Sequence, residues 1–166
     1  IYTGQTGWLQ GTRFGFVLDA TANDFVSGEL EHAIVSCDRE LAPDVMLLEG
    51  QSALRNPSGP CGAELMLSGG ARGVILQHAP GRRFFDDQEH LGHEIPSLVS
   101  EIELIRMYGS RVLAISINHE GLDEKGLAEA KVRIERETGL VAFDPLREGC
   151  ERAMETITAY VKSERR

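Results

Sequence analysis

Three side chains that could carry acid–base or metal chemistry stand at the ends of short apolar runs: Asp19, Glu49 and His78. The two carboxylates could hold Mg²⁺ through water, or one of them could act as a base. An imidazole has an ordinary pKa of about 6.5, so His78 could take or give a proton near neutral pH. The alternatives are a helix cap for Asp19, a turn carboxylate for Glu49 and a structural role for His78. We take the three as candidate catalytic residues.

A second set of polar side chains could bind an anionic ligand. A guanidinium grips a carboxylate through two parallel hydrogen bonds, so Arg55 or Arg82 is a candidate partner for a substrate carboxylate. A solvated surface role is the alternative for each arginine. Loops that follow apolar runs supply the remaining candidates, which are Gln51, Ser52, Asn56 and Asn118.

A glycine-spaced polar loop, TGQTG, opens the chain. Glycine lets the backbone turn tightly and approach a ligand closely, and such loops can point N–H groups at a phosphate. We predict a ligand-binding loop here, with a plain connecting turn as the alternative. Its residues are Thr3, Gly4, Gln5, Thr6 and Gly7.

Other chemical signatures are weak in this sequence. It contains neither a G-x-S-x-G elbow nor a G-x-x-x-x-G-K-[ST] loop. Cys37, Cys61 and Cys150 lack zinc or disulfide spacing, which favours a reducing compartment and a cytoplasmic protein. His90 and His93 lie beside acidic residues, but their spacing alone does not indicate a metal site, and we predict none.

The predicted elements alternate between short apolar strands and helices. The stretch 44–59 is central, because its four apolar residues 45–48 suit a strand buried on both faces. Residues 84–95 are polar and predict a long functional or mobile loop. Predicted strands cover 1–3, 14–18, 45–48, 73–76, 112–117 and 140–143; predicted helices cover about 21–41, 61–67, 97–108, 123–137 and 148–163.

The first predicted helix carries a start signal and a stop signal. Thr21 and Asp24 form a T-x-x-D pattern, an acidic relative of the capping box, and Pro43 predicts an end near Leu41. Apolar residues at helical spacing predict its inward face, namely Phe25, Val26, Leu30, Ala33, Ile34 and Cys37.

Repeated strand–helix units predict an α/β fold with a mostly parallel sheet and helices on both faces. The carboxyl ends of parallel strands meet at one edge, where ligands bind in such sheets. We therefore expect the polar groups that end the strands to converge there. They are Asp19, Glu49 to Gln51, Gln77, His78, Asn118, His119 and Asp144.

Length and charge narrow the class of protein further. The 166 residues predict one domain, and the formal net charge of −9 makes nucleic acid or an anionic membrane an unfavourable partner. Apolar runs all fall short of the roughly 18 residues of a membrane span, and we identify no signal peptide. The polar residues at the strand ends favour a small anionic molecule as the partner.

Five stretches resemble the D-glutamate N-acetyltransferase-like family, formerly a domain of unknown function. They are TGQTG (3–7), NDFVSGELE (23–31), LLEGQSALRNPSG (47–59), HAPGRR (78–83) and INHEGLDEKG (117–126). The resemblance implies a P-loop NTPase-like three-layer sandwich, the C-terminal part of a two-domain protein. The family's phosphate-binding loop upstream of TGQTG has no counterpart in this sequence. We therefore expect a fragment that lacks its N-terminal domain.

Three functions follow from the resemblance and the strand-end residues. The first is acetyl transfer from acetyl-CoA to the amine of a D-amino acid such as D-glutamate, with His78 or Glu49 as the base and an arginine on the substrate carboxylate. The second is an ATP- and Mg²⁺-dependent ligase or NTPase of the dethiobiotin-synthetase type, with Asp19 and Glu49 near the metal. The third is a non-catalytic binding or assembly domain. We also expect a homo-oligomer.

Overall fold

The computed structural model describes Ile1, Thr3 and residues 13–164. The chain contacts divide it into two compact units, Ile1–Arg72 and Gly73–Arg166. The expectation that the whole chain forms one domain stays a prediction.

The first unit is built around one long helix. Helix α1 spans Asn23–Leu41 and helix α2 spans Ala63–Leu67, with a 3₁₀ turn at Leu18–Ala20. Leu30 is fully buried and forms the centre of a small core with Phe16 and Val26. Because apolar positions recur at helical spacing along α1, one stripe of the helix closes this core, as the sequence predicted.

The start of α1 differs from its sequence signal. The helix begins after Ala22, and no side chain caps it. The Thr21 hydroxyl donates instead to the Val17 carbonyl at 2.8 Å, which closes the preceding 3₁₀ turn. Phe25, predicted to point inward, is 67% exposed. The end was predicted correctly: Ala42 adopts a left-handed conformation (φ 42°) directly before Pro43.

The apolar run 45–48 is extended but is not a strand buried on both faces. The Glu49 N–H donates to the Ile1 carbonyl at 2.9 Å, and the Thr3 N–H donates to the Glu49 carbonyl at 3.2 Å, a pattern typical of parallel pairing. Val45 and Leu47 are exposed, at 45% and 70%. Alternate side chains of an extended segment point to opposite sides, and only the other side of this run is covered in the first unit. Residues 14–18, also predicted as a strand, lead into the 3₁₀ turn instead.

A three-stranded parallel sheet organises the second unit and confirms the predicted fold class. Its strands lie in the order β1-β2-β3, so β2 is central. The strands are β1 (Gly73–His78), β2 (Arg111–Ile117) and β3 (Val141–Phe143), and the helices are α3 (Leu98–Met107), α4 (Glu124–Thr138) and α5 (Glu151–Glu164).

Both faces of this sheet are covered. Ala153 of α5 packs against Ala114 and Phe143 on one face. Ile115 and Ile117 alternate to the opposite face, and they are 0% and 2% exposed. An apolar strand with no exposed face is typical of a parallel α/β sheet, in agreement with the strand predicted at 112–117.

The helix ends of the second unit follow the sequence closely. Ser97 caps α3 by accepting a hydrogen bond from the Ser100 N–H at 3.3 Å, and Asp123 caps α4 by accepting one from the Gly126 N–H at 2.7 Å. Gly139 ends α4 with φ 68°, a conformation that costs glycine little. Only α5 departs, since it begins at Glu151 rather than near 148.

The predicted loop 84–95 is bonded to itself. Phe84 and Glu94 form an antiparallel bridge, and the Phe85 N–H donates to the His93 carbonyl at 3.0 Å. A 3₁₀ turn at Glu89–Leu91 lies inside it. The segment is therefore a closed loop anchored by its own backbone.

Candidate functional site at a sheet edge

The carboxyl ends of β1, β2 and β3 lie side by side because the three strands are parallel neighbours. His78 ends β1, Asn118 and His119 follow β2, and Asp144 follows β3. The Asn118 N–H donates to the His78 carbonyl at 2.9 Å, so the backbone pairing continues one residue past β2. Four polar side chains thus meet at the edge where ligands bind in such folds.

His119 and Asp144 form the most specific contact at this edge. The His119 Nδ1 lies 2.5 Å from the Asp144 Oδ2. The Asp144 side chain is 1% exposed and that of His119 is 28% exposed. A buried carboxylate therefore holds an imidazole that solvent or a ligand can reach.

Backbone donors fix the other oxygen of Asp144. Its Oδ1 accepts hydrogen bonds from the Leu146 N–H at 3.0 Å and the Arg147 N–H at 3.3 Å. The Asp144 N–H in turn donates to Glu148 at 2.8 Å, and Lys131 is paired with the same carboxylate. Burial alone would raise the pKa of Glu148, but the hydrogen bonds from Lys131 and from Asp144 hold it below its usual value.

His78 is the most enclosed titratable candidate from the sequence. Its Cα pairs in register with that of Ile117, so both side chains point to the same face of the sheet. Burial lowers the pKa of His78, the positive charge of Arg133 lowers it further, and Glu137 opposes the shift. The imidazole is therefore uncharged at neutral pH and has a lone pair available.

Arg82 reaches this edge but is already paired. Its guanidinium contacts Glu120, with Asp86 at 3.8 Å, and the hydrogen bond that Arg82 donates to Glu120 raises the pKa of Arg82. A Cβ added at Gly81 would lie 2.4 Å from the Glu120 carbonyl oxygen, so the loops after β1 and β2 touch through backbone. A substrate carboxylate would have to compete with Glu120 for Arg82.

Asn118 also uses its side chain locally. Its Oδ1 accepts a hydrogen bond from the Glu120 N–H at 3.0 Å, which closes the turn after β2. Its role in the structure is therefore to shape the loop that carries His119.

In the first unit, Glu49 and Asp19 lie in different settings. Partial desolvation raises the pKa of Glu49. The Glu49 carbonyl accepts from the Thr3 hydroxyl at 2.9 Å, and Thr3 is fully buried. Asp19 lies in the exposed 3₁₀ turn. Gly4, Gln5, Thr6 and Gly7, the rest of the predicted glycine loop, lie outside the described residues.

The loop that follows Glu49 is held by its own predicted binding residues. The Ser52 hydroxyl donates to the Gly59 carbonyl at 2.7 Å, and Asn56 accepts from the Ser58 N–H at 3.0 Å. The Gln51 N–H bonds the Cys61 thiol, whose pKa is nevertheless raised, chiefly by burial and by Glu64. A thiol in that state is a poor nucleophile. Arg55 is exposed on the same loop.

The sequence candidates are thus gathered within each unit. His78, Asn118 and Arg82 share the sheet edge of the second unit, while Asp19, Glu49 and the 50–62 loop belong to the first. A common rim formed by all of them stays a prediction. The sequence placed His119 and Asp144 among the strand-end polar groups but did not select them, because nothing in a single sequence shows that β2 and β3 are neighbours.

The described residues lack two features of other functional classes. Among them, no three His, Cys, Asp or Glu side chains lie close enough to hold a metal ion. None of their helices is long and apolar enough to cross a membrane. A shallow hollow runs along α5, but it holds no strand end and no histidine. Its lining residues are Cys150, Glu151, Met154, Glu155, Thr158, Ala159 and Lys162.

A three-stranded parallel sheet with helices against it defines an α/β domain. The chain belongs to the DUF1611 family: residues 1–154 match its C-terminal domain, described as "Domain of unknown function (DUF1611_C) P-loop domain". This confirms the family resemblance predicted from the sequence, and with it the P-loop-type fold.

Two relatives agree with that assignment. The chain is 29% identical over 164 residues to a D-glutamate N-acetyltransferase from Tritonibacter scottomollicae, covering 95% of this chain and 47% of that protein. It is similar to the crystal structure of a DUF1611 family protein from Anabaena variabilis, with a TM-score of 0.84, 27% identity, and coverage of 96% of this chain and 47% of that one. The chain therefore spans about half the length of these relatives.

Proposed function

We propose that this chain is the P-loop-type domain of an enzyme that transfers the acetyl group of acetyl-CoA to the amine of a D-amino acid, with D-glutamate as the first candidate acceptor. The single observation that carries this proposal is the carboxyl edge of β1-β2-β3, where His78 and the His119–Asp144 pair lie at neighbouring strand ends. The named relative, similar along nearly the whole chain, supports the choice of reaction.

The reaction needs a base because an ammonium group cannot attack a thioester. A proton must leave the acceptor nitrogen before that nitrogen bonds to the acetyl carbon. His78, whose pKa burial lowers, is uncharged at neutral pH and meets this requirement; Glu49 is the candidate from the first unit.

Binding the acceptor carboxylate and the CoA pyrophosphate, which are both anionic, needs positively charged side chains or backbone N–H groups. Arg82 could bind an acceptor carboxylate if that carboxylate displaced Glu120, and exposed Arg55 is the candidate from the first unit. The glycine-rich stretch that includes Thr3 is our candidate for the CoA pyrophosphate, because backbone N–H groups of such loops bind phosphate.

Release of free CoA thiol by the protein in its full natural length tests the proposal. We expect thiol release with acetyl-CoA and D-glutamate, and little with L-glutamate, which has the same charge and groups. D-aspartate has the same chirality as D-glutamate but a shorter side chain, so it shows whether the length of the acceptor side chain matters. The absence of thiol release with every D-amino acid tried would refute the proposed acetyl transfer.

ATP binding is a second candidate, favoured by the P-loop description of the family. The described residues provide no three-ligand metal cluster, so Mg²⁺ would need nucleotide phosphates to complete its coordination. Thermal-shift measurements separate the two candidates, since a ligand that binds only the native state raises Tm. A rise with ATP and Mg²⁺ but none with acetyl-CoA would favour the ligase or NTPase.

A further inference from the structure

We propose that His119, rather than His78, takes the proton from the acceptor amine at this edge, and that Asp144 is its positioning residue. The identity of the acceptor rests on the proposed function. The contact between His119 and Asp144 lies entirely within the described residues of the second unit.

The contact between the two side chains sets the tautomer of the imidazole. An ionised carboxylate only accepts hydrogen bonds, so the His119 Nδ1 must carry a proton to donate to the Asp144 Oδ2 at 2.5 Å. In a neutral ring the lone pair then lies on Nε2. No residue in the described part of the chain bonds Nε2, and 28% exposure of the side chain leaves it within reach of a ligand.

Asp144 is held too firmly to rotate away from the ring. Two backbone N–H groups bind its Oδ1, and its own N–H is tied to Glu148. A carboxylate fixed in this way orients an imidazole and stabilises the positive charge that develops when the ring takes a proton. The charged groups round the pair are Glu148 with Lys131 beside Asp144, and Glu120 with Arg82 beyond His119.

His78 is less well placed for the same task. It is the last residue of β1, and its side chain shares the face of the fully enclosed Ile117. His119 lies two residues beyond the end of β2, in the loop that Asn118 closes. Both histidines are partly buried, but His119 alone has a described carboxylate partner that fixes its ring.

The transfer step balances with His119 as the proton acceptor. One ammonium proton passes to Nε2, and the freed nitrogen forms the bond to the acetyl carbon. The carbon–sulfur bond then breaks, and the departing CoA sulfur receives the second nitrogen proton as a free thiol. His119 finally gives its proton to water.

Two variants and a control test this assignment in the full-length protein. His119→Asn retains a donor for Asp144 but removes Nε2, and Asp144→Asn retains acceptors for the backbone N–H groups while favouring the wrong tautomer. We expect each to lower kcat for acetyl transfer about 10²- to 10⁴-fold, with KM for acetyl-CoA and Tm little changed. His90→Asn, an exposed histidine of the same unit, should leave kcat unchanged. Rates of His119→Asn within threefold of wild type would overturn the assignment.

Side-chain ¹⁵N NMR measures the tautomer of His119 and so tests its contact with Asp144 independently of acetyl transfer. At pH 7.5 we expect the His119 signal, identified by its loss in His119→Asn, to show the Nδ1–H tautomer and to switch in Asp144→Asn. An Nε2–H tautomer in the native protein would overturn the assignment whatever the rates. If the wild type acetylates no D-amino acid, the proposed function fails, and the tautomer alone decides whether the pair is arranged as proposed.

Discussion

The apolar extended segments of the two units differ in how fully neighbouring residues cover them. In the second unit the central strand is paired on both sides and its residues are buried on both faces, so the loops beyond it start from fixed points. In the first unit the run 45–48 keeps Val45 and Leu47 exposed, and the loop after it is closed by its own hydrogen bonds. The comparison teaches that a strand fixed by neighbours on both sides holds its end residues in defined positions, whereas the end of a partly covered segment is less constrained.

Replacing the strand-end carboxylate should have the largest effect in the second unit. Asp144→Ala leaves the partly exposed His119 imidazole and two backbone N–H groups without their acceptor, so we expect a loss of about 3 kcal/mol in the free energy of unfolding. Glu49→Ala, at the corresponding place in the first unit, should change stability little because that side chain is exposed. Urea unfolding measures both, and similar losses in the two variants would contradict the difference between the units.

The loop contact at Gly81 should give the next largest effect. A Cβ there would lie 2.4 Å from the Glu120 backbone oxygen, so Gly81→Ala must push apart the loops after β1 and β2 at a cost of about 1–3 kcal/mol. Gly59→Ala is the matched control in the first unit, since nothing lies within 4 Å of its added Cβ. An unchanged Tm in Gly81→Ala would show that the two loops move independently.

A glycine in α1 offers a smaller effect of opposite sign. Gly28 lies in the helix interior with nothing within 4 Å of an added Cβ. Gly28→Ala should therefore raise the free energy of unfolding by up to about 1 kcal/mol through helix propensity. A loss of stability would mean that a surface outside the described contacts covers this side of α1.

The pH dependence of stability tests the enclosed position of His78. A folded-state pKa below the unfolded value of about 6.5 means that the unfolded chain binds more protons, so stability falls as pH drops below 6.5 and through the lower folded pKa. His78→Asn should abolish the loss of stability that protonation of His78 causes at low pH, whereas His90→Asn should lose as much stability as the wild type. Parallel Tm curves for wild type and His78→Asn between pH 5 and 7.5 would contradict a lowered pKa.

The second unit was predicted more completely than the first, in which both helices were predicted correctly but the strands at 14–18 and 45–48 were not. Caps such as Ser97, Asp123 and Gly139 satisfy local backbone groups, so nearby residues suffice to reveal them. Thr21 failed as a cap signal because its hydroxyl had a competing acceptor, the Val17 carbonyl. The prediction that 45–48 is a strand buried on both faces was wrong, because an apolar sequence indicates burial but not how many neighbouring segments cover it.

The candidate site was predictable only as a list of strand ends. Single-sequence reasoning selected His78 for its residue type and its place after an apolar run. It could not select His119 over His78, because that choice depends on the order of strands and on the buried partner Asp144. The sequence also could not show which atoms each polar side chain bonds. Ser52, Asn56 and Asn118 form hydrogen bonds within their own loops.

A crystal structure of the full-length protein with CoA and D-glutamate tests the central claim most directly. The account predicts that the amine of D-glutamate lies within hydrogen-bond distance of the His119 Nε2 at the carboxyl edge of β1-β2-β3. Both ligands bound away from that edge, with His119 still facing solvent, would contradict it.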